Sequence, residues 1–189
     1  MNLSGPFLVL ALVLLAAVPR RSSAAVPVPR VVRDSILSPG GEEPRWLCDY
    51  RSDREKTVVD RGPWKVTFGN CVFTGNRDGA PLVRTGSCPD TEGSLDLEYR
   101  NITVVPVNAF EGMGNMTKLY LEGNRLSALP EGIFAGLRSL HFLSLTCNQL
   151  TGTLRAGVFD GLSSLFELDL SQNRLTALSP GVFAGLSSL

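Results

Sequence analysis

Few side chains in this 189-residue chain have a type and spacing suited to chemistry. His141 is the single histidine, which argues against a histidine base beside a nucleophile and against a multi-histidine metal site. Carboxylates are present, but no spacing brings two together for acid–base work, and no phosphate loop or metal-ligand cluster stands out. The segment with Asp60 and Trp64 is small for an enzyme domain. The expectation is a protein that is not an enzyme and needs no cofactor. The four cysteines, Cys48, Cys71, Cys88 and Cys147, are too few for a disulfide scaffold. They suit a few bridges in an oxidising compartment. Two sequons, Asn101-Ile102-Thr103 and Asn115-Met116-Thr117, are acceptors if the chain is secreted. Lys plus Arg and Asp plus Glu balance at 18 each, without the basic excess of a nucleic-acid binder.

The elements that must position these residues emerge from the leucines. Six fall in the first 15 residues and 20 between Leu95 and Leu189, with only Leu37, Leu47 and Leu82 between. Phe7 to Val18 is a twelve-residue apolar run, too short for the roughly 20 residues of a spanning helix. With Ser22, Ser23, Ala24 and Ala25 after it, residues 1–24 read as a secretory signal peptide. No other stretch suits a membrane span, so a secreted product is expected. Residues 25–45 are rich in proline and glycine and read as an extended linker.

From Leu95 a period of 24 residues organises the rest. The units are 95–118, 119–142, 143–167 and 168–189, the last incomplete. Each repeats seven apolar slots, such as Leu119, Leu121, Leu126, Leu129, Phe134, Leu137 and Leu140 in the second. The third unit is one residue longer, with the surplus expected in a loop at Thr151-Gly152-Thr153. Asn124, Asn148 and Asn173 recur three residues after the second leucine. There, a side-chain amide can satisfy the backbone of its own turn and of the next coil. Arg100 takes that place in the first unit. Asn108, Gly132, Gly157 and Gly181 stand two residues before each repeated phenylalanine, which suggests one tight bend per coil. Glycines in every unit and a period far from a multiple of seven argue against a coiled coil.

The pattern L-x-L-x-x-N-x-L-x-x-L-x(4)-F-x-G-L-x-x-L resembles the extracellular 24-residue class of leucine-rich repeats. The resemblance implies an α/β right-handed solenoid. Short parallel strands would line its concave side, and irregular or short helical turns its convex side. It also implies that residues flanking the strand leucines face a partner. The candidate contact residues are Lys118, Tyr120, Glu122, Phe142, Ser144, Thr146, Glu167 and Asp169, with Tyr120 and Phe142 as exposed aromatic anchors. Asp96, Glu98, Glu122, Glu167 and Asp169 surround them, which suits a basic or polar protein.

Residues 46–94 are the expected N-terminal cap. Trp64, Val66 and Phe68 alternate with polar residues, and Gly69-Asn70 offers a hairpin turn into Cys71-Val72-Phe73. Family members often carry a cysteine-bridged cap here, although this segment lacks a clustered Cys-x-Cys. Cys71 is expected to pair with Cys88, Cys48 stays open, and Cys147 is expected to keep its thiol. The C-terminal end lacks a cap, so a fragment, or self-association through that end, is expected. The function expected is protein binding by a secreted or cell-surface chain. The alternatives are the N-terminal piece of a membrane receptor and an inhibitor of a secreted hydrolase.

Overall fold

The computed structural model describes residues 63–76, 78–89 and 91–189. The expected signal peptide, the linker and Cys48 lie outside the described residues. The apolar slots at period 24 fold as a solenoid of about four coils. Their concave strands are β4 (Gly93–Asp96), β5 (Met116–Tyr120), β6 (Phe142–Ser144) and β8 (Glu167–Asp169), hydrogen-bonded in that order as one parallel sheet. Leu95, Leu119, Leu143 and Leu168 stand side by side in its register. The parallel ladder continues past the strands into the turn, where Tyr99 N–H donates to the Glu122 carbonyl, Gly123 to Thr146, and Cys147 to Ser171.

Alternation explains the strands. Each leucine of the L-x-L pairs points inward and is buried, save Leu170 of the fourth coil, which is half-buried, while its neighbours face the other side of the sheet. All apolar slots of the first three coils are buried except Leu129, which is half-buried. Inside, phenylalanines form a column: Phe110, Phe134, Phe159 and Phe183 stack with centroids 6.2, 6.1 and 6.1 Å apart. Turns, not helices, carry the convex side of the described residues.

Two expectations about the irregular side need correction. The surplus residue of the third coil does not sit in a loop. Thr151-Gly152-Thr153 belongs to β7 (Thr151–Leu154), which pairs in parallel with β9 (Arg174–Leu178) as a second small sheet. The register slips by one residue between Gly152 and Thr153, where Thr176 of β9 is the bulged residue left without a partner in the ladder. The bends also differ from one per coil. Gly132, Gly157 and Gly181 do take positive φ, but Asn108 does not, and a second left-handed column runs through Tyr99, Gly123, Cys147 and Gln172. Glycine is required in that column only at Gly123, where an added Cβ would meet the Tyr99 ring at 2.3 Å.

The asparagines satisfy buried backbone as expected, but they reach the preceding coil, not the next. Asn124 Oδ1 accepts from Arg100 N–H (3.1 Å) and Ile102 N–H (3.0 Å). Its Nδ2 donates to the carbonyls of Leu97 (2.8 Å) and Leu121 (2.9 Å). Asn148 and Asn173 repeat the bridge one and two coils further on.

The residues before β4 form an antiparallel sheet of β1 (Trp64–Phe68), β2 (Cys71–Gly75) and β3 (Val83–Thr85). Gly69-Asn70 makes the β1–β2 turn, with Phe68 opposite Cys71. The Cys71–Cys88 disulfide closes this unit. Phe73 sits 6.4 Å from Phe110 and so extends the phenylalanine column into the hairpin. Trp64 Nε1–H donates to the Arg100 carbonyl (3.1 Å), and the Arg100 guanidinium lies over the Trp64 ring. The end of the first coil is thus covered by side chains of the sheet.

Removing either internal column should be costly. Phe134→Ala should lose about 3–5 kcal/mol of stability through the cavity it leaves. Asn124→Ala should lose about 3 kcal/mol or more, because several buried backbone groups lose their partner together. Urea denaturation followed by circular dichroism measures both. A loss under 1 kcal/mol for Asn124→Ala would remove the bridge from any account of stability.

Candidate binding surface

The concave sheet places the expected contact residues in register. Lys118, Phe142 and Glu167 form one row across β5, β6 and β8, and Tyr120, Ser144 and Asp169 form the next. The row order follows from the 24-residue period, which sets equivalent positions of successive coils side by side. Tyr120 and Phe142 meet with ring centroids 5.1 Å apart at 43°. Both are half-buried rather than fully exposed, because each ring covers part of the other. Lys118 is exposed, and Glu122, Thr146, Glu167 and Asp169 are partly exposed.

Ser144 differs from its row. It is 3% exposed, a small side chain set in register between Tyr120 and Asp169. It therefore offers almost no surface to a partner.

Part of the charged and polar set is already engaged. Asp96 Oδ1 accepts from Glu98 N–H (3.0 Å) and Asp169 Oδ1 from Ser171 N–H (2.9 Å), each a local turn bond two residues on. Tyr99 Oη–H donates to Glu122 Oε1 (2.6 Å). The Thr146 and Ser171 hydroxyls share a hydrogen bond of 2.7 Å across two coils. Glu167 stands beside Phe142 in the sheet register.

A second aromatic pair lies where the chain approaches the strands. His141 and Phe166 meet at 5.5 Å. Phe166 is 54% exposed, the most open aromatic among the described residues' large exposed hydrophobics. From the sequence His141 stands out only as the single histidine and Phe166 not at all, since both fall just before the L-x-L strand motif. Their adjacency follows from the same period that aligns Phe142 with Glu167, so the signal was there.

Away from this face, a shallow cleft opens between β3 and the turns of the first coil, lined by Leu82, Val83, Arg84, Pro106, Asn108 and Glu111. Arg84 is committed there to backbone: its Nη1 donates to the carbonyls of Asn108 (3.4 Å), Ala109 (3.3 Å) and Glu111 (2.6 Å). That geometry fastens the sheet to the solenoid through Nη1. Among the described residues no group of three or more metal-ligating side chains converges. None of their helices is long and apolar enough to cross a membrane.

The cysteines require one more correction. Cys147, expected to keep its thiol, is disulfide-bonded, and among the described residues no cysteine is free. Its partner lies outside the described residues. No spacing around Cys147 marks it as bonded, so the sequence offered nothing local to find the bridge by.

Comparison with known proteins agrees with this geometry. The leucine rich repeat family matches residues 93–150 and 138–189, together just over half of the chain. The chain is 43% identical over 67 residues to lumican of Coturnix japonica, covering 35% of this chain and 20% of that one. It is 40% identical over 65 residues to fibromodulin of Oryctolagus cuniculus, covering 34% of this chain and 44% of that one. It is 46% identical over 56 residues to the leucine-rich repeat-containing G-protein coupled receptor 5A of Xenopus laevis, covering 30% of this chain and 6% of that one. The chain therefore spans less than half the length of each.

The mutual shielding of the concave aromatics is open to test. Phe142→Ala should raise the accessibility of Tyr120, read as faster nitration of Tyr120 by peptide mass. Unchanged modification of Tyr120 would mean that the two rings do not cover one another.

Proposed function

Because the chain belongs to the leucine-rich repeat family, we propose that it is a secreted or cell-surface protein that binds a protein ligand through its concave sheet. The observation that carries this reading is the Tyr120–Phe142 pair on a sheet whose backbone is held from behind by buried leucines. Aromatic side chains on a rigid surface supply contact area at low entropic cost, and such residues dominate binding energy. Glu122, Glu167 and Asp169 flank the pair, with Lys118 as the only cation in the two central rows. That balance favours a partner with a basic or polar surface.

The Cys71–Cys88 bridge supports an oxidising compartment, and in a secreted chain the two sequons become acceptors. Asn115 is exposed beside β5, whereas Asn101 is half-buried with a left-handed φ of 57°. Asn115 is thus the better placed acceptor. A receptor reading has one observation in its favour, the match to a G-protein coupled receptor. In coil four Leu170, Leu175, Leu178, Phe183 and Leu189 are only partly buried, which supports an apolar contact there, either with a further coil or with a second copy.

The concave reading is tested on the chain secreted from mammalian cells and applied to an array of purified extracellular and cell-surface ectodomains. Tyr120→Ala with Phe142→Ala should abolish any specific binding, by about 100-fold or more, while the far-ultraviolet spectrum stays unchanged. A binder that holds the double variant as tightly as the parent would move the site off the concave sheet. In the same cells Asn115→Gln should remove a glycosidase-sensitive shift on a gel. Persistence of the full shift would assign the sugar to Asn101.

A further inference from the structure

β3 is an edge strand of the N-terminal sheet. Just before it, Leu82 N–H donates to the Val104 carbonyl (2.9 Å), and beyond that bond no backbone hydrogen bond joins β3 to the first coil among the described residues. The facing chain turns away there, because Ala109 N–H closes on the Pro106 carbonyl (2.9 Å). The cleft left between them has a volume of about 790 Å³, a size that suits a small ligand or a few residues of peptide. Pro81, Leu82 and Val83 line one side, and Pro106 and Ala109 the other. Three of the four large exposed hydrophobics among the described residues gather at this seam: Val83 on the strand, Val104 and Val107 on the facing segment. Single exposed apolar residues are ordinary, but several at the mouth of one cleft mark a contact surface.

The charge in the cleft is set by Arg84, which is half-buried. Its Nη1 is held by three carbonyls. Nε and Nη2 have no hydrogen-bond partner, and no carboxylate pairs with the guanidinium, among the described residues. A planar fork anchored on one side can donate through its two remaining groups to a single carboxylate. We infer that this cleft binds an extended acidic segment of a partner protein. The open edge of β3 receives its backbone, the valines receive an apolar side chain, and Arg84 receives a carboxylate. An unpaired strand edge calls for a peptide and not a small anion, since it offers main-chain donors and acceptors in a row. The cleft lies away from the concave sheet, and the inference does not depend on what that sheet binds.

Both walls are fixed before any guest arrives. Gly86 ends β3 with a φ of 85°, where an added Cβ would run into the Asn70 carbonyl, and Cys88 is bonded to Cys71 two residues further on. On the facing side Val105, Ala109 and Phe110 are buried in the core and hold the turn between them. Little order must be gained on binding, which lowers its entropic cost. Glu111 also lines the cleft and is exposed. Its charge opposes an acidic guest, so its removal should strengthen binding.

The test uses the secreted full chain and fluorescence anisotropy. The probe is a labelled pentapeptide that alternates valine with glutamate, beside two others in which glutamine or lysine replaces the glutamate. The glutamate peptide should bind saturably, the glutamine peptide about tenfold more weakly or worse, and the lysine peptide not at all. Val83→Glu alters an exposed side chain and should lower the affinity for the glutamate peptide about tenfold or more, with an unchanged far-ultraviolet spectrum. Glu111→Gln should raise it. Arg84 also anchors the sheet, so the peptide series tests the carboxylate without altering that residue. Equal affinity for the three peptides, no saturable binding at millimolar peptide, or binding indifferent to Val83→Glu would each overturn the assignment. Displacement of the peptide by an equimolar amount of N-acetylglutamate would overturn it too, because the cleft would then hold a free carboxylate and not a peptide.

Discussion

A coil that turns sharply after its concave strand leaves backbone donors and acceptors inside the molecule, where water cannot reach them. In this solenoid each turn is completed by a side chain from the coil that follows. Arg100 N–H and Ile102 N–H have Asn124 Oδ1, Leu126 N–H has Asn148 Oδ1, and Leu150 N–H has Asn173 Oδ1. The same amides donate back to Leu97, Leu121 and Leu145. One buried residue type therefore settles four or five backbone groups, and neighbouring coils are mutually required. The exception proves the dependence. Arg100 holds the asparagine position of the first coil, and there a tryptophan from outside the repeats contacts the turn through the Arg100 carbonyl.

The asparagine bridge and the phenylalanine column fix two lines through the stack, so both demand a nearly constant repeat length between them. Coil three satisfies both and still carries its additional residue. That residue falls where neither line runs, in the stretch Thr151–Leu154 that pairs as β7 with β9. Phe73 shows the other side of this economy. The sheet it belongs to is antiparallel and shares no period with the repeats, yet its ring takes the next place in the column beyond Phe110. An end cover need not imitate a coil. It has only to present an apolar surface of matching shape at the right height.

What was legible in the sequence was whatever repeats or is local. The 24-residue period gave the parallel strand register, the buried slots and the asparagine positions. The alternation at Trp64, Val66 and Phe68 with Gly69-Asn70 gave the hairpin. What escaped depends on contacts between non-equivalent segments. Phe73 lies outside the period, so nothing local ties it to Phe110. Positive φ at Tyr99, Cys147 and Gln172 was hidden because these are not glycines; the tertiary ladder through the turn holds them there against their local preference. Ser144 looked like any outward position, but it is a small side chain flanked in register by Tyr120 and Asp169 and is buried. The asparagine direction was misread because both neighbouring coils offer identical backbone, and only geometry selects the preceding one.

These constraints narrow the surface that remains for recognition. Inward positions are occupied by leucine, phenylalanine and asparagine, which free the outward ones from folding duties in principle. In practice several outward residues also serve the fold. The carboxylates of Asp96 and Asp169 hold their own turns, Glu122 accepts from Tyr99, and Thr146 joins Ser171. A partner drawing on those groups would have to compete with bonds already made, which lowers what each can contribute. Lys118, Tyr120, Phe142 and Glu167 carry no comparable obligation in the bonds described, and the exposed His141–Phe166 pair continues their aromatic character toward the edge of the sheet. Binding energy on this face is therefore expected to concentrate in the rings and not in the more numerous acids. The acids then act chiefly on which partners approach and how fast, since rim charges steer encounter more than they hold a complex.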